Sequence, residues 1–488
     1  MMPEQQLPDY SGVQTAPPAQ YRMQTTAALL VMVLVPALCI AGNQAGLLRI
    51  VFPVLSLVVS AFLLWRSKPL YVGLVCWLWF VTPFLDRMAD YQAGWTLENP
   101  VELAPYFAAA IAGLTLLMRL HDLGGRRTLP FICAFVAILY GLILGFVYIP
   151  LFNVLRAALN WFVPVIFGLF LYKNRSLYSQ FCRAIEKAFL YGVLVTGIYG
   201  IYQFFNLPAW DRMWMLNVQM NSFGAVEAMK IRVFSTMNAP AIFAAVMACG
   251  LLLLANLKGR LRLLSAACGF LALILTLSRA SWITLVVGFV YLMFRMGMRE
   301  RMRLVSAAFV CGLFLLGLAQ LPAIKDMVSQ RVDTFADPNQ DVSFSARIQG
   351  HEKAFGEISR QPFGEGLGST DTFHNTEGDD DIIGPHDSTL LEILYSLGWI
   401  GSSIYALGLV LLGIRIMRNV RGDPFLTSSK AILVGLFAQC LLNSILIGIL
   451  GFMVWIFASM CLARVDLAEE ADRQQEREGY ESSNLVAA

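Results

Sequence analysis

Fourteen runs of about 16 to 21 mostly apolar residues punctuate the 488-residue chain and constrain its fold class before any motif is considered. They lie near 26–42, 47–65, 69–85, 104–120, 129–149, 155–172, 188–206, 237–256, 262–277, 280–296, 303–320, 397–417, 429–445 and 447–464. Coiled at about 1.5 Å per residue, such a run matches the ~30 Å hydrocarbon core of a bilayer. Inside that core the backbone must satisfy its own hydrogen bonds, and the runs are continuous rather than alternating with period two, so helices are expected and a closed barrel is not. Composition agrees: 57% of residues are hydrophobic and 14% charged, against roughly 25% charged in an ordinary soluble domain. The expectation is an all-α, polytopic integral membrane protein with about 14 transmembrane helices and a large extracytoplasmic loop before the twelfth.

Lys and Arg orient the spans. With the N-terminus in the cytoplasm, the segments carrying Arg66 and Lys68, Arg126 and Arg127, Lys173 to Lys187, Lys258 to Arg262, Arg295 to Arg303, and Arg415 to Lys430 all fall inside, and they hold most of the 36 basic residues. The expected organisation is a cytoplasmic tail over 1–25, a membrane domain over 26–320, a large outer loop over 321–396, the last three helices over 397–464, and a charged, solvated cytoplasmic tail over 465–488. The first apolar run is too long for a signal-peptide core and reads as an uncleaved span. Eight of the nine cysteines lie within or at the ends of runs and Cys182 in an inner loop, so neither a disulfide framework nor a cysteine metal site is expected.

Several chemistries are excluded. The sequence has no G-x-x-x-x-G-K-[ST], and Gly364, Gly366 and Gly368 in PFGEGLG fit neither the P-loop nor the dinucleotide fingerprint. It has no H-E-x-x-H, no paired C-x-x-C and no sizeable cytoplasmic domain for a nucleotide or a nucleic acid. The energy for any reaction would arrive with the substrate, and no cofactor or metal is expected. Three outer stretches are long enough to act: Asp86 to Glu102, Leu207 to Ser235, and the stretch from 321 to a helix beginning near Thr389, which holds His351, His374 and His386.

Where basic residues are otherwise kept inside, arginines at the outer face require a reason. Arg232 precedes the run at 237, Arg279 sits in the turn LSRASW between two apolar runs, and Arg347 lies in SARIQGHEKAF. Any one of them also fits a guanidinium snorkelling to lipid phosphate. Arg279 fits that least, having only serines as polar neighbours, and two or three guanidinium groups converging would make a diphosphate site. In GPHDSTLLEILYSLGWIG (384–401), Thr389 and Glu392 fit an S/T-x-x-E capping box, with Asp387 or Ser388 as alternative N-caps. His386 adds nothing to the cap. Its near-neutral pKa suits proton transfer, and on the residues alone it reads equally as a general base or as a solvated loop histidine. The acidic run from Glu377 to Asp381 reads as a solvated loop rather than a cation site.

Three patches carry a family resemblance: RVFSTMNAPAIFA at 232–244, TLSRASWITL at 276–285, and the late loop with Arg347, PFGEGLG and a histidine ahead of an L-x-x-L-x-x-x-G helix start. Together they resemble the O-antigen ligase and polymerase superfamily of polytopic envelope glycosyltransferases. Within that resemblance only His386 has the family's spacing to Leu390, Leu394 and Gly398. His-Asp replaces the usual His-Asn, and Thr389 stands where an aromatic residue is common.

The resemblance implies an inverting, metal-independent transfer in the bacterial inner membrane. An acceptor hydroxyl, activated or oriented by His386, would displace undecaprenyl diphosphate from a lipid-linked glycan at the periplasmic face, with Arg232, Arg279 and Arg347 offsetting the charge of the leaving group. The leading expectation is a polymerase of exopolysaccharide or O-antigen repeat units. The close alternative is a ligase moving finished glycan to lipid A core or another acceptor. Partners would be the lipid-linked oligosaccharide, a glycan or lipid acceptor, the bilayer, and the flippase and chain-length regulator of the same pathway. A glycolipid transporter or flippase is the third reading, weakened by the lack of an internal repeat or of ionisable residues near the bilayer midplane.

Overall fold

The structure is a computed structural model and describes residues 19–96, 98–118, 124–218, 221–303, 305–306, 312, 356, 362–370, 388–418, 420 and 422–487. The described residues are mostly helical, with an isolated bridge between Gly224 and Ile231 but no β-strand among them. In chain order the helices are α1 (Ala19–Ala41), α2 (Leu48–Arg66), α3 (Lys68–Ala93), α4 (Ala104–Ala110), α5 (Ala112–Leu117), α6 (Leu129–Tyr148), α7 (Leu151–Lys173) and α8 (Tyr178–Asn206). They continue with α9 (Ala209–Val218), α10 (Pro240–Leu254), α11 (Arg260–Leu275), α12 (Arg279–Arg295), α13 (Thr389–Ile416), α14 (Pro424–Ala438) and α15 (Gly448–Ala487). Proline marks many of the starts: Pro69, Pro105, Pro130, Pro240 and Pro424 stand in first turns, where a missing N–H leaves no helical bond unmade.

Every apolar run falls on helix except 303–320, which lies mostly outside the described residues. Among the described residues nine helical segments are long and apolar enough to cross a membrane. The runs near 237–256, 262–277, 280–296 and 429–445 give shorter helices, of 15, 16, 17 and 15 residues. The difference has a physical origin: apolar residues in the irregular segments 237–239, 276–278 and 439–445 extend a run without extending a helix.

Three other boundaries also differ. α3 runs on to Ala93, so Asp86 to Asp90 are helical rather than loop; α8 begins at Tyr178, which puts Cys182 on a buried helix face; and α15 stays helical through 465–487 instead of ending at a tail.

α15 is the central helix, with 94% of its apolar window buried, whereas the window of α1 is 17% buried and faces outward. α7 packs along α15 with Gly168 against Trp455 and Ser459, where a Cβ would come within 2.7 Å of Ser459 Oγ. The other close pairs are α6 with α13, α8 with α11, α12 with α14, and α3 with α8.

One end of the bundle is rich in arginine, and there the charges are paired. Asp466, fully buried on α15, accepts from Arg415 of α13 at 2.6 Å and from the Tyr172 hydroxyl of α7 at 2.5 Å, with Arg127 at 4.0 Å. Glu470, one turn on, takes Arg127 and Arg175, and Glu469 takes Arg418. Asp423, the N-cap of α14, accepts from Arg464 at 3.0 Å and from Tyr178 at 2.9 Å. α15 is thereby tied to α6, α7, α13 and α14 at this end. Removing the shared acceptor leaves the half-buried Arg415 guanidinium without its counter-charge and the Tyr172 hydroxyl without its acceptor, so Asp466→Ala is expected to cost about 3 kcal/mol of stability. Thermal denaturation in detergent measures this, and an unchanged midpoint would show the pairing to be dispensable.

Candidate functional site

The opposite end of the bundle gathers the motif residues. The 15 residues of α10 and of α14 span only about 22 Å each, less than the ~30 Å hydrocarbon core. Their far ends adjoin Lys258 and Asp423, charged residues that belong at the water boundary. At the motif end the irregular segments that follow or precede these helices are therefore recessed, and irregular backbone at that depth requires protein or a water-filled cavity around it.

The segment 232–239 is held residue by residue. Arg87 of α3, fully buried, donates from Nε to Asp211 at 2.8 Å, from Nη1 to Met237 O at 2.7 Å and Asn238 Oδ1 at 3.0 Å, and from Nη2 to Ser235 O at 2.5 Å. Its guanidinium also lies over the Phe234 ring, 5.0 Å from the centroid. Gln203 of α8 accepts from the backbone N–H groups of Phe234 and Ser235 while its amide donates to Asp211, and Ser235 takes a φ of 52° inside that cradle. This explains the pattern R-V-F-S-T-M-N-A-P as a shaped backbone on a buried guanidinium, delivered into α10 by Pro240.

Arg232, at the near end of this segment, donates from Nε to Thr276 O at 3.0 Å and from Nη2 to Leu277 O at 3.4 Å. Val233 N also donates to Leu275 O at 3.1 Å. Two of the three sequence patches thus meet, and Arg232 shapes the turn that presents Arg279. In that turn Leu277 has a φ of 53°, an uncommon backbone for a branched-chain residue. Ser278 is the N-cap of α12 but makes no side-chain cap bond, its hydroxyl lying 3.2 Å from Ser281 Oγ. Arg279 opens α12 and is half-buried. A cation there opposes the helix dipole, so helix stability does not account for it, whereas an anion in front of α12 would be held by both. Ser281 Oγ reaches Ala241 O at 3.5 Å, which sets the starts of α10 and α12 side by side.

The start of α13 joins the same region. α14 packs on α12 with Gly435 against Thr284, so Gln439, one turn beyond Gly435, lies level with the first turn of α12. From there the segment 439–445 reaches α13: Thr389 N donates to Cys440 O at 2.8 Å, and the Thr389 hydroxyl donates to Asn443 O at 2.7 Å and accepts from Ile445 N at 2.9 Å. Ser388 is the N-cap, one of the alternatives above, though without a side-chain cap bond. The capping box does not form, because the Thr389 hydroxyl is engaged by 443–445 and Glu392, 2% exposed, accepts from Thr370 at 3.1 Å. Ser388 Oγ, Gln439 Nε2 and Ser444 Oγ are buried and have no hydrogen-bond partner among the described residues.

PFGEGLG threads between α6 and α13. Gly364, Gly366 and Gly368 have φ of 80°, 93° and 91°, and a Cβ on Gly366 would lie 2.2 Å from Gly145 N of α6. Leu367 N donates to Gly141 O, Glu365 N to Tyr395 O, and Trp399 N to Pro362 O, each at 2.9 Å. α13 breaks at Gly398, φ 58°, where a Cβ would lie 2.2 Å from Phe363 C. Alternate glycines thus let an irregular segment cross two helices backbone to backbone while keeping its hydrogen bonds.

Of the sequence-derived site residues, Arg232, Arg279, Thr389 and Glu392 are described and lie in one region, whereas Arg347, His386 and Asp387 lie outside the described residues, as do His351, His374 and the run from Glu377 to Asp381. Asp86, Arg87 and Asn238 were not singled out from the sequence. The available signal was three charges, Asp86, Arg87 and Asp90, closing an apolar run. Residues 264–406 match the family described as O-antigen ligase, which spans Arg279, PFGEGLG and the start of α13. No curated protein and no solved structure matches the chain. Residues 264–406 of this multi-span membrane protein thus carry an O-antigen ligase family domain, and that match supports the resemblance to the O-antigen ligase and polymerase superfamily.

Proposed function

We propose that the protein polymerises undecaprenyl-diphosphate-linked glycan repeat units at the periplasmic face of the bacterial inner membrane, by inverting transfer without a metal. The observation that carries this reading is that Arg232 holds the turn presenting Arg279, beside the start of α10, while the start of α13 is bound to the segment that follows α14, the partner of α12. In the reaction an acceptor hydroxyl attacks the anomeric carbon, the bond from that carbon to the diphosphate oxygen breaks, and the lipid diphosphate departs with the bonding electrons. Arg279, oriented by Arg232 and joined by Arg347, offsets the negative charge that develops on the leaving oxygens. His386 takes the hydroxyl proton, with Asp387 beside it raising its basicity. The motif end would face the periplasm, because the opposite end carries the arginines.

A ligase is the second reading, favoured by the description of the matching family. Purified protein supplied with lipid-diphosphate-linked repeat unit and no other acceptor separates the two. Chain growth is expected for the polymerase, whereas inertness until a core acceptor is added would establish the ligase. Activity abolished by excess EDTA would overturn metal independence.

A further inference from the structure

At the motif end of α3, Asp86 is 1% exposed, yet its Oδ1 has no hydrogen-bond partner among the described residues, and its Oδ2 meets only the Asn238 amide at 3.5 Å. An ionisable group in a spanning segment with so little to hold it points to function. Neighbouring charges have structural duties: Arg87 clamps 234–238, and Asp90 accepts from Arg49 and from Asn99, each at 2.8 Å. The Asn238 amide is oriented by its partners. Its Oδ1 accepts from Arg87 at 3.0 Å, and its Nδ2 donates to Glu102 Oε1 at 3.0 Å as well as to Asp86. Glu102, half-buried just before α4, accepts no other hydrogen bond among the described residues, and Arg156 of α7 acts on it electrostatically. One turn further along each helix, the Tyr106 hydroxyl donates to Asn160. Glu102 and Tyr106 thus face Arg156 and Asn160 across a polar wall. Asn238 stands two residues ahead of α10, whose first turn touches that of α12, so the wall adjoins Arg279.

The two sides have opposite chemistry. Around Arg232 and Arg279 the groups are cationic donors; along the wall the carboxyls of Asp86 and Glu102 and the amides of Asn238 and Asn160 add hydrogen-bond acceptors, with Arg156 opposite Glu102. Buried carboxyl and amide oxygens accept hydrogen bonds from sugar hydroxyl groups, a chemistry the arginine side does not offer. The described residues hold no group of three or more His, Cys, Asp and Glu placed for a metal ion, and Arg156 further disfavours a cation.

We propose that this wall is a binding subsite for the hydroxyl groups of the acceptor glycan, with Glu102 Oε2 accepting a hydrogen bond from a sugar hydroxyl and Asn238 and Asp86 positioning that carboxylate. The inference rests on the transfer reading above, which supplies a glycan acceptor.

The test uses the purified full chain in detergent and two probes, each carrying one half of the chemistry. One is undecaprenyl diphosphate without sugar, followed by thermal stabilisation. The other is repeat-unit oligosaccharide released from its native lipid carrier, followed by saturation-transfer NMR. Glu102→Gln, which keeps shape and removes charge, is expected to weaken oligosaccharide binding at least about tenfold and leave lipid-diphosphate binding within about twofold. Arg279→Ala is expected to do the reverse. Unchanged oligosaccharide affinity in Glu102→Gln, or equal loss of both probes, would overturn the subsite; if that variant does not fold, Asp86→Asn carries the same test. Wild-type protein that binds oligosaccharide but not undecaprenyl diphosphate would sink the transfer reading while the subsite stands, and the converse would sink the subsite alone.

Discussion

Arg279→Ala is expected to lower turnover by about 10² to 10³-fold while the protein inserts and folds as before. The loss follows from where charge develops: a departing diphosphate gains negative charge, and a fixed guanidinium beside it stabilises the transition state more than the ground state. Retention of fold follows from the position of Arg279 in the first turn of α12, where a cation opposes the helix dipole and its removal does not weaken the helix. Arg279→Lys should recover only part of the activity, since an ammonium keeps the charge but not the planar two-pronged donor set. Initial rates of transfer from lipid-linked repeat unit, read beside thermal midpoints, measure both effects. Wild-type turnover would remove Arg279 from the mechanism, and a collapsed midpoint would reassign it to folding.

Gly366→Ala is expected to have the largest structural effect. The backbone at Gly366 has a φ of 93°, and a Cβ would lie 2.2 Å from Gly145 N and 2.5 Å from Gly145 Cα, backbone atoms of α6 that cannot rotate aside. Left-handed strain of about 1–2 kcal/mol and overpacking of about 1–3 kcal/mol combine there. The apolar helices still insert, but PFGEGLG cannot hold α13 against α6. Thermal stability and transfer should therefore fall together. Gly297→Ala is the control: a Cβ there has no atom within 4 Å, and neither quantity should change. A Gly366→Ala protein with wild-type midpoint would show that the segment is not held as described.

How much of this was legible in the chain depends on the range of the interaction. Spanning helices follow from local composition, because a bilayer selects continuous apolar length whatever the neighbours do. The helix starts at Pro69, Pro130, Pro240 and Pro424 are legible for the same reason, since the missing N–H acts on its own first turn. Arg232 and Arg279 stood out as cations on the less basic side of the runs. The span count was less legible, because Met237, Leu277 and Leu441 are as apolar as helix residues yet lie in irregular segments.

What one element asks of another was hidden in the linear order. Thr389 and Glu392 have the spacing of a capping box, but Asn443, Ile445 and Thr370, brought in by folding, compete for both side chains and win. Asp86 and Glu102 became a pair only when Asn238, far along the chain, was set between them. The sequence by itself determined a helical membrane bundle and which arginines to examine, because apolar length, proline and charge act locally. Only the tertiary structure decided that Arg232 shapes the Arg279 turn, that PFGEGLG passes between α6 and α13, and that a carboxylate wall stands beside the arginines, because each depends on backbone from distant segments meeting at hydrogen-bond distance.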